Sequence, residues 1–508
     1  MNRSPWLTAL AAVAISGCTA TTAEQQVIGE AAAALGGRDR IEAVKTLVVT
    51  GEGTAYAVGS DQLIDTNERI YKVTGYKQAI DLAGARALLE QTRTPTTPNF
   101  SGQAPARQWQ GIDGEAAYNV AANGNRTRAG NEVTARARRA NIYHHPLTSV
   151  RAALDPAATV TSRRTEGNET LVDVATAGGI VLTLGIDTTT KLPTRVASTT
   201  AGENILGDVR IETRFGDYQD VNGLRLPTRL TRTTDRFKDF ELRVTNAVDG
   251  DTGDLAAPAS VASAPATDAP SERSAVKVEE VANGVWHLTG TTHHSVLVEF
   301  SDHLTLIEAP NEDRARGIFA KAKELRPNKP LTTLINTHHH FDHSAGVRAA
   351  VSEGLTIITH KSNGPFYEEA VKRPRTILPD VLAENPNPPP LKLVTVDEEM
   401  TLTDQAMTLV IYRIVNNTHA DNNLMIYFPR ERLLVQADIF MPRDPRTQGH
   451  APWVRNLLDN IEMRRLTVNR HVPLHGLIVP HSEFLQVVKD GYDRTVVKEP
   501  PPYRYSPT

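Results

Sequence analysis

Hydrophobic and polar positions change their rhythm several times along this chain. Met1 to Gly17 carries Arg3, an apolar run from Trp6 to Ile15 and then small residues. That order predicts a secretory signal peptide over 1–17, and it is too short for a membrane span. Thr19 to about Glu30 is small and polar, which predicts a tether over 18–30, whereas Ala31 to Val44 has the apolar content of one helix. From Leu47 to about Val248, short Thr- and Val-rich alternating segments such as Leu171-Val-Asp-Val and Ile180-Val-Leu-Thr-Leu are broken by Gly, Asn and Asp. Alternation with period two predicts a mostly antiparallel β-domain over 31–248. Two Leu-Pro-Thr-Arg copies, ending at Arg195 and Arg229, each follow a turn and fit successive hairpins.

Asp249 to Ser274 is dominated by Asp, Gly, Ala, Pro and Ser, a composition that buries little apolar surface and reads as an interdomain linker over 249–275. After it, Val285-Trp-His-Leu, Ser295-Val-Leu-Val-Glu-Phe, Leu304-Thr-Leu-Ile-Glu and Leu331-Thr-Thr-Leu-Ile-Asn read as strands, with a helical stretch from Asp313 to Leu325. Strands alternating with helices predict a layered domain over 276–492, followed by a tail over 493–508. The chain as a whole is expected to be of the α+β class.

A length of 508 residues with 40% hydrophobic and 22% charged residues excludes a disordered chain and suggests two or three globular domains. A net charge of -4 offers no field to attract nucleic acid, so no nucleic-acid partner is expected. The single cysteine, Cys18, excludes an internal disulfide or a thiolate zinc ribbon. It stands in Ile15-Ser-Gly-Cys18, which resembles the bacterial lipobox. That resemblance implies lipidation of Cys18 and a membrane partner through the lipid anchor. Thr19, standing where an inner-membrane retention signal would place Asp, leans toward the outer membrane facing the periplasm. Phe215-Gly-Asp-Tyr-Gln-Asp-Val-Asn-Gly-Leu-Arg-Leu-Pro-Thr-Arg229 resembles periplasmic lipoprotein-carrier-like domains, which implies a curved β half-barrel around a helix, serving as a spacer or as a platform for a hydrophobic ligand.

Fourteen of the sixteen histidines follow residue 280. The densest cluster, Thr337-His338-His339-His340-Phe341-Asp342-His343, follows a buried-type strand and precedes Ser344-Ala-Gly-Val, so it lies on a strand-to-helix loop at the carboxyl edge of a sheet, where open α/β sheets bind ligands. Two borderline-soft cations need about three protein donors each. The further donors stand at strand ends: His419 before Leu424-Met-Ile-Tyr-Phe, Asp438 after Leu433-Leu-Val-Gln-Ala, and His475 after Val472-Pro-Leu.

This ordered set resembles the metallo-β-lactamase fold over about Val276 to Val488, implying a four-layer αβ/βα sandwich. By position, the resemblance assigns His338, His340 and His419 to a first metal, Asp342, His343 and His475 to a second, and Asp438 to a bridge. It implies two Zn²⁺ per chain holding a hydroxide, with Asp342 as the catalytic residue that orients it or passes a proton to the leaving group. His481 is the alternative to His475. His339 is expected to point away from the metals. His144, His145, His287, His293, His294, His303, His360, His450 and His471 are read as packing or surface residues.

The expected substrate is a small molecule carrying a carboxylic ester, lactone or lactam. The Asp at 438, where one β-lactamase subclass has Cys, suits lactonases and thioesterases, while Thr-His419-Ala-Asp-Asn keeps the lactamase reading open. A mononuclear iron dioxygenase of the persulfide type and a lipid-binding lipoprotein are the alternatives. Arg373-Pro-Arg375 and Asn385-Pro-Asn-Pro-Pro-Pro390 read as a substrate-covering lid or a surface excursion.

Overall fold

A reciprocal cap starts the first helix: Thr22 Oγ1 accepts from the Gln25 amide at 3.2 Å and the Gln25 side chain accepts from the Thr22 amide at 3.1 Å. The helix Ala23–Leu35 buries Val27, Ile28, Ala31, Ala32 and Leu35, one face at helical spacing. Most of the expected tether over 18–30 is therefore helical, and the helix expected from Ala31 to Val44 is two helices. The break is Gly36, at φ +125, where a Cβ would meet the Gly223 carbonyl at 2.3 Å; a second helix, Arg38–Ala43, follows. The computed structural model describes residues 21–96, 105–130, 132–201, 205–265, 275–290, 292–442 and 451–494. The segment 1–17, Cys18 and His450 lie outside these.

Thirteen strands form one antiparallel sheet. The chain runs outward through six strands from Thr46–Tyr56 to Arg126–Arg128, crosses on the helices Glu132–Ile142 and Pro146–Leu154, and returns through seven strands from Thr159–Glu166 to Phe237–Val248. The last strand pairs with the first, from Leu47 opposite Val248 to Ala55 opposite Phe240. The helix Glu132–Ile142 touches both the outgoing strand Ala106–Asp113 and the returning strand Pro193–Ala201, so the sheet wraps around it. His144 and His145 are in this core: His144 bonds Thr213 Oγ1 and Ser198 Oγ, both at 2.9 Å, and His145 bonds Asn246 Oδ1 at 3.0 Å.

The stretch expected to be a linker over 249–275 is docked along its first half. Tyr118 donates its hydroxyl to the Leu255 carbonyl at 2.8 Å, and Leu255 and Val261 are buried against Val48, Ala79, Leu88 and Tyr118. Polar contacts hold it as well: the Ala257 amide donates to Asp113 Oδ2 at 2.9 Å and Arg126 donates to the Asp254 carbonyl at 2.6 Å.

In the C-terminal part, a seven-stranded sheet runs in chain order from Lys277–Ala282 to Lys392–Val396, and a six-stranded sheet from Glu399–Thr403 to Val479–Pro480. Alternation along each strand serves two layers. Val296 and Val298 meet Ile411, Ile426 and Val435 between the sheets. Leu297 faces the other way, into the core formed with the helices Glu312–Leu325, Val347–Ser352 and Gly364–Lys372. Met425 and Tyr427 face the helix Ala451–Met463 through Trp453, Leu457 and Ile461. This is the four-layer αβ/βα sandwich. The N-terminal sheet is joined to it by a shared core, in which Ile205, Leu206, Val209 and Phe237 pack with Leu306, Val347 and Phe366. Among the described residues no helix is long and apolar enough to cross a membrane.

Candidate metal centre

The strand Leu331–Ile335 ends at the inter-sheet edge, and the chain then passes through His338, His339 and His340 into a single helical turn, Phe341–Ser344. Extended backbone sends alternate side chains to opposite sides. His338 and His340 accordingly enter the cluster, while His339 turns away and bonds the Asn422 side chain at 2.9–3.1 Å. The turn then brings in Asp342 and His343.

The seven predicted residues converge. Asp438 Oδ2 lies 2.9 Å from His343 Nε2, 3.0 Å from His419 Nε2 and 3.3 Å from His338 Nε2, and its Oδ1 lies 2.9 Å from His475 Nε2. These residues fall into two donor groups, His338, His340, His419 and Asp438, and His293, Asp342, His343 and His475; a third grouping sets Glu308 against His338 and His343. His481 is elsewhere, bonded to His471 at 2.9 Å. Asp438 holds this position at φ +67, in the left-handed region that Asp adopts more readily than most non-glycine residues.

The far nitrogens are fixed in ways that aim the near ones inward. His475 Nδ1 donates to the Thr292 carbonyl at 2.8 Å, and His340 Nε2 donates to the Asp61 carbonyl at 2.8 Å. His338 Nδ1 is 3.0 Å from Thr337 Oγ1, and His343 Nδ1 is 3.3 Å from Glu308 Oε2.

The electrostatics fit a cation. Burial holds His338 down to about 4 and His419 to about 3, so both imidazoles are neutral and able to ligate. Burial would also lower His343, but Asp438 and Asp342 outweigh it and hold that imidazole well above its ordinary value. Burial would raise Asp438, yet His343 and His475 keep it well below the ordinary carboxylate range. His475 Nε2 faces His343 Nε2 at 3.1 Å, and His419 Nε2 faces His338 Nε2 at 3.3 Å. Buried imidazole nitrogens and carboxylates meeting this closely are the donor chemistry of a divalent transition ion.

Two residues outside the predicted set belong here. His293, read from sequence as packing or surface, has Nε2 3.3 Å from Asp342 Oδ2 and its ring 4.1 Å from that of His475. Glu308, at the end of the strand Leu304–Ile307, is fully buried behind the histidines. Its only sequence signal was a carboxylate at a strand terminus. Arg373-Pro-Arg375, read as a lid or an excursion, clamps the two halves: Arg373 donates to the Leu206 carbonyl at 2.8 Å and the Asp208 carbonyl at 3.1 Å.

Residues 288–483 match the family model of the metallo-beta-lactamase superfamily, and this part of the chain is a metallo-beta-lactamase domain. No curated protein matches the chain significantly. Among solved structures, it is similar to DIM-1 metallo-beta-lactamase (14% identity over 43% of this chain and 98% of that one, TM-score 0.34). It is also similar to a metallo-beta-lactamase from Pontibacter korlensis (16%, 44% and 100%, TM-score 0.34). A third is FIM-1 from Pseudomonas aeruginosa in its mono-zinc form (16%, 45% and 100%, TM-score 0.34).

Proposed function

We propose that this protein is an exported zinc-dependent hydrolase acting on a carboxylic ester, lactone or lactam of a small molecule, held by a lipid on Cys18 at the periplasmic face of the outer membrane. The observation that carries the hydrolase reading is Asp438, whose two oxygens reach histidines of both donor groups. His338, His340 and His419 would hold one ion and Asp342, His343 and His475 the other, with Asp438 between them. Two such ions, when bound, supply the Lewis acidity that acidifies water and polarises a carbonyl. The chain's own contribution is placement and proton handling. Water adds its oxygen to the carbonyl carbon and gives up a proton to Asp342 Oδ2, the C–O or C–N bond breaks, and Asp342 passes that proton to the departing oxygen or nitrogen. Asp342 suits that role because its side chain is 53% exposed, whereas the histidines of the HxHxDH loop behind it are buried. His293, bonded to Asp342, sits on the same open side.

The test is elemental analysis of the purified chain together with hydrolysis of chromogenic esters, lactones and a cephalosporin. About two zinc ions per chain, with turnover falling on the order of a hundredfold or more in Asp342→Ala, is the expected result. One iron per chain without hydrolysis would replace this reading with that of an oxygenase.

A further inference from the structure

The segment between the strands Thr46–Tyr56 and Ile70–Asp81 of the N-terminal sheet does not end at the interface; it enters the wall of the metal centre. The Asp61 carboxylate braces it from within, accepting the amides of Glu68 at 3.0 Å and Arg69 at 2.8 Å. Five hydrogen bonds then cross to the other half. The Phe341 amide donates to the Gly59 carbonyl at 3.2 Å, and His340 Nε2 donates to the Asp61 carbonyl at 2.8 Å. The Asp421 amide donates to the Gln62 carbonyl at 2.9 Å, and Gln62 Nε2 donates to the Asn417 carbonyl at 3.1 Å. Arg69 donates to the His419 carbonyl at 2.5 Å.

Every one of these bonds lands on a residue that carries a candidate ligand or lies within two positions of one. Asn417 shows what is being held: its side chain accepts the amides of His419 and Ala420 at 2.7 and 3.1 Å, shaping the turn that presents His419. The fit at Phe341 is close enough to dictate a residue. Gly59 sits at φ +71, and a Cβ there would lie 2.2 Å from the Phe341 ring. Joining two halves does not require bonds at the ligand loops, since Arg373 with the Leu206 carbonyl and Asp208 with Thr376 already join them elsewhere. Arg69 is buried near the cluster, with its guanidinium carbon 5.9 Å from the Trp453 ring centre; Trp453 in turn packs edge-on against His419 at 4.7 Å.

We infer that the segment from Gly59 to Arg69 is a positioning element of the metal centre, holding His340 and His419 through Asp61, Gln62 and Arg69 and so setting the affinity of the site those histidines form. The N-terminal sheet thereby lines the His340–His419 side, and the exposed member of the cluster, Asp342, lies away from it. This inference rests on the metal-dependent reading of the preceding section.

The experiment is zinc competition against a chromogenic chelator on the full chain, with thermal melting as the check on folding. Arg69→Met and Gln62→Ala are compared with Thr376→Val, which removes a side-chain hydrogen bond of the same interface, to Asp208, away from both the segment and the ligands. The expected result is one zinc equivalent weakened by about tenfold or more in Arg69→Met and Gln62→Ala, the other equivalent unchanged, and wild-type affinity in Thr376→Val. If Arg69→Met does not melt cooperatively, Gln62→Ala decides. Wild-type affinity in both segment variants, or an equal loss in Thr376→Val, overturns the inference while leaving the hydrolase reading in place. A wild-type chain that binds no zinc overturns both.

Discussion

Glu308 Oε2 lies 3.3 Å from His343 Nδ1, and both side chains are about 1% exposed. The same carboxylate accepts from Asn336 Nδ2 at 2.7 Å and from Thr337 Oγ1, whose oxygen is 3.0 Å from His338 Nδ1. One buried acid thus sets the ring orientation of a histidine in each donor group. An acceptor behind a ligating imidazole fixes its tautomer and raises its basicity. Glu308→Gln keeps the shape and removes the charge. Zinc affinity should fall about 10- to 100-fold with the melting transition retained. An unchanged competition curve would show that Glu308 is only a packing residue.

Asp438 has oxygens that reach both donor groups, and it holds them there from a left-handed backbone. Asp438→Asn leaves a neutral amide that offers one oxygen where the carboxylate offers two. Zinc content should drop from about two per chain to about one, and hydrolysis should fall with it. Elemental analysis after dialysis reads the first effect directly. Retention of both ions would show that the two histidine groups suffice without a bridge.

The loop His338 to His343 was legible because four donors share one turn, and its spacing alone tells which side each takes. His419, Asp438 and His475 were legible because each stands near one end of an apolar strand, His419 before one and Asp438 and His475 after one. Glu308 and His293 were not, because a lone acid or histidine gains meaning only from what folding brings against it. Asp61 and Arg69 were further out of reach, since their partners His340 and His419 lie in the other half of the chain. Composition misled at both ends of the N-terminal part. Polar Gln and Glu hid a capped helix at Ala23–Leu35, and Ala and Pro hid the two anchors Leu255 and Val261.

Asp380 lies 2.5 Å from Arg348 Nε and 3.1 Å from its terminal nitrogen, with both side chains 3% exposed. Arg348 also donates to the Ala370 and Val371 carbonyls at 2.7 and 2.9 Å, holding the last turn of the helix Gly364–Lys372. Removing one partner leaves a buried charge without its counter-charge, a loss of about 3–5 kcal/mol. Asp380→Ala should lower the chemical unfolding midpoint of the C-terminal part accordingly. A change under about 1 kcal/mol would mean that water enters and compensates Arg348.

His144 and His145 are buried in the core of the N-terminal sheet, and burial holds them down to about 3 and about 4. Neither is near a ligand, so their effect is independent of metal. His145 Nδ1 accepts the Leu147 amide at 3.2 Å and caps the helix Pro146–Leu154, which leaves Nε2 to donate to Asn246 Oδ1. In the unfolded chain both titrate near 6.5. Above that value both states are neutral and full stability is present. As pH falls below about 6.5 the unfolded chain takes up protons that the folded chain refuses, so stability is lost progressively down to the folded values. At pH 5 this amounts to on the order of 2 kcal/mol for each histidine. Melting temperature should therefore fall from pH 7 to pH 5. His144→Gln combined with His145→Asn, which keeps a capping side chain, should fall less over the same interval. A double variant as acid-sensitive as the wild type would place the sensitivity in other groups.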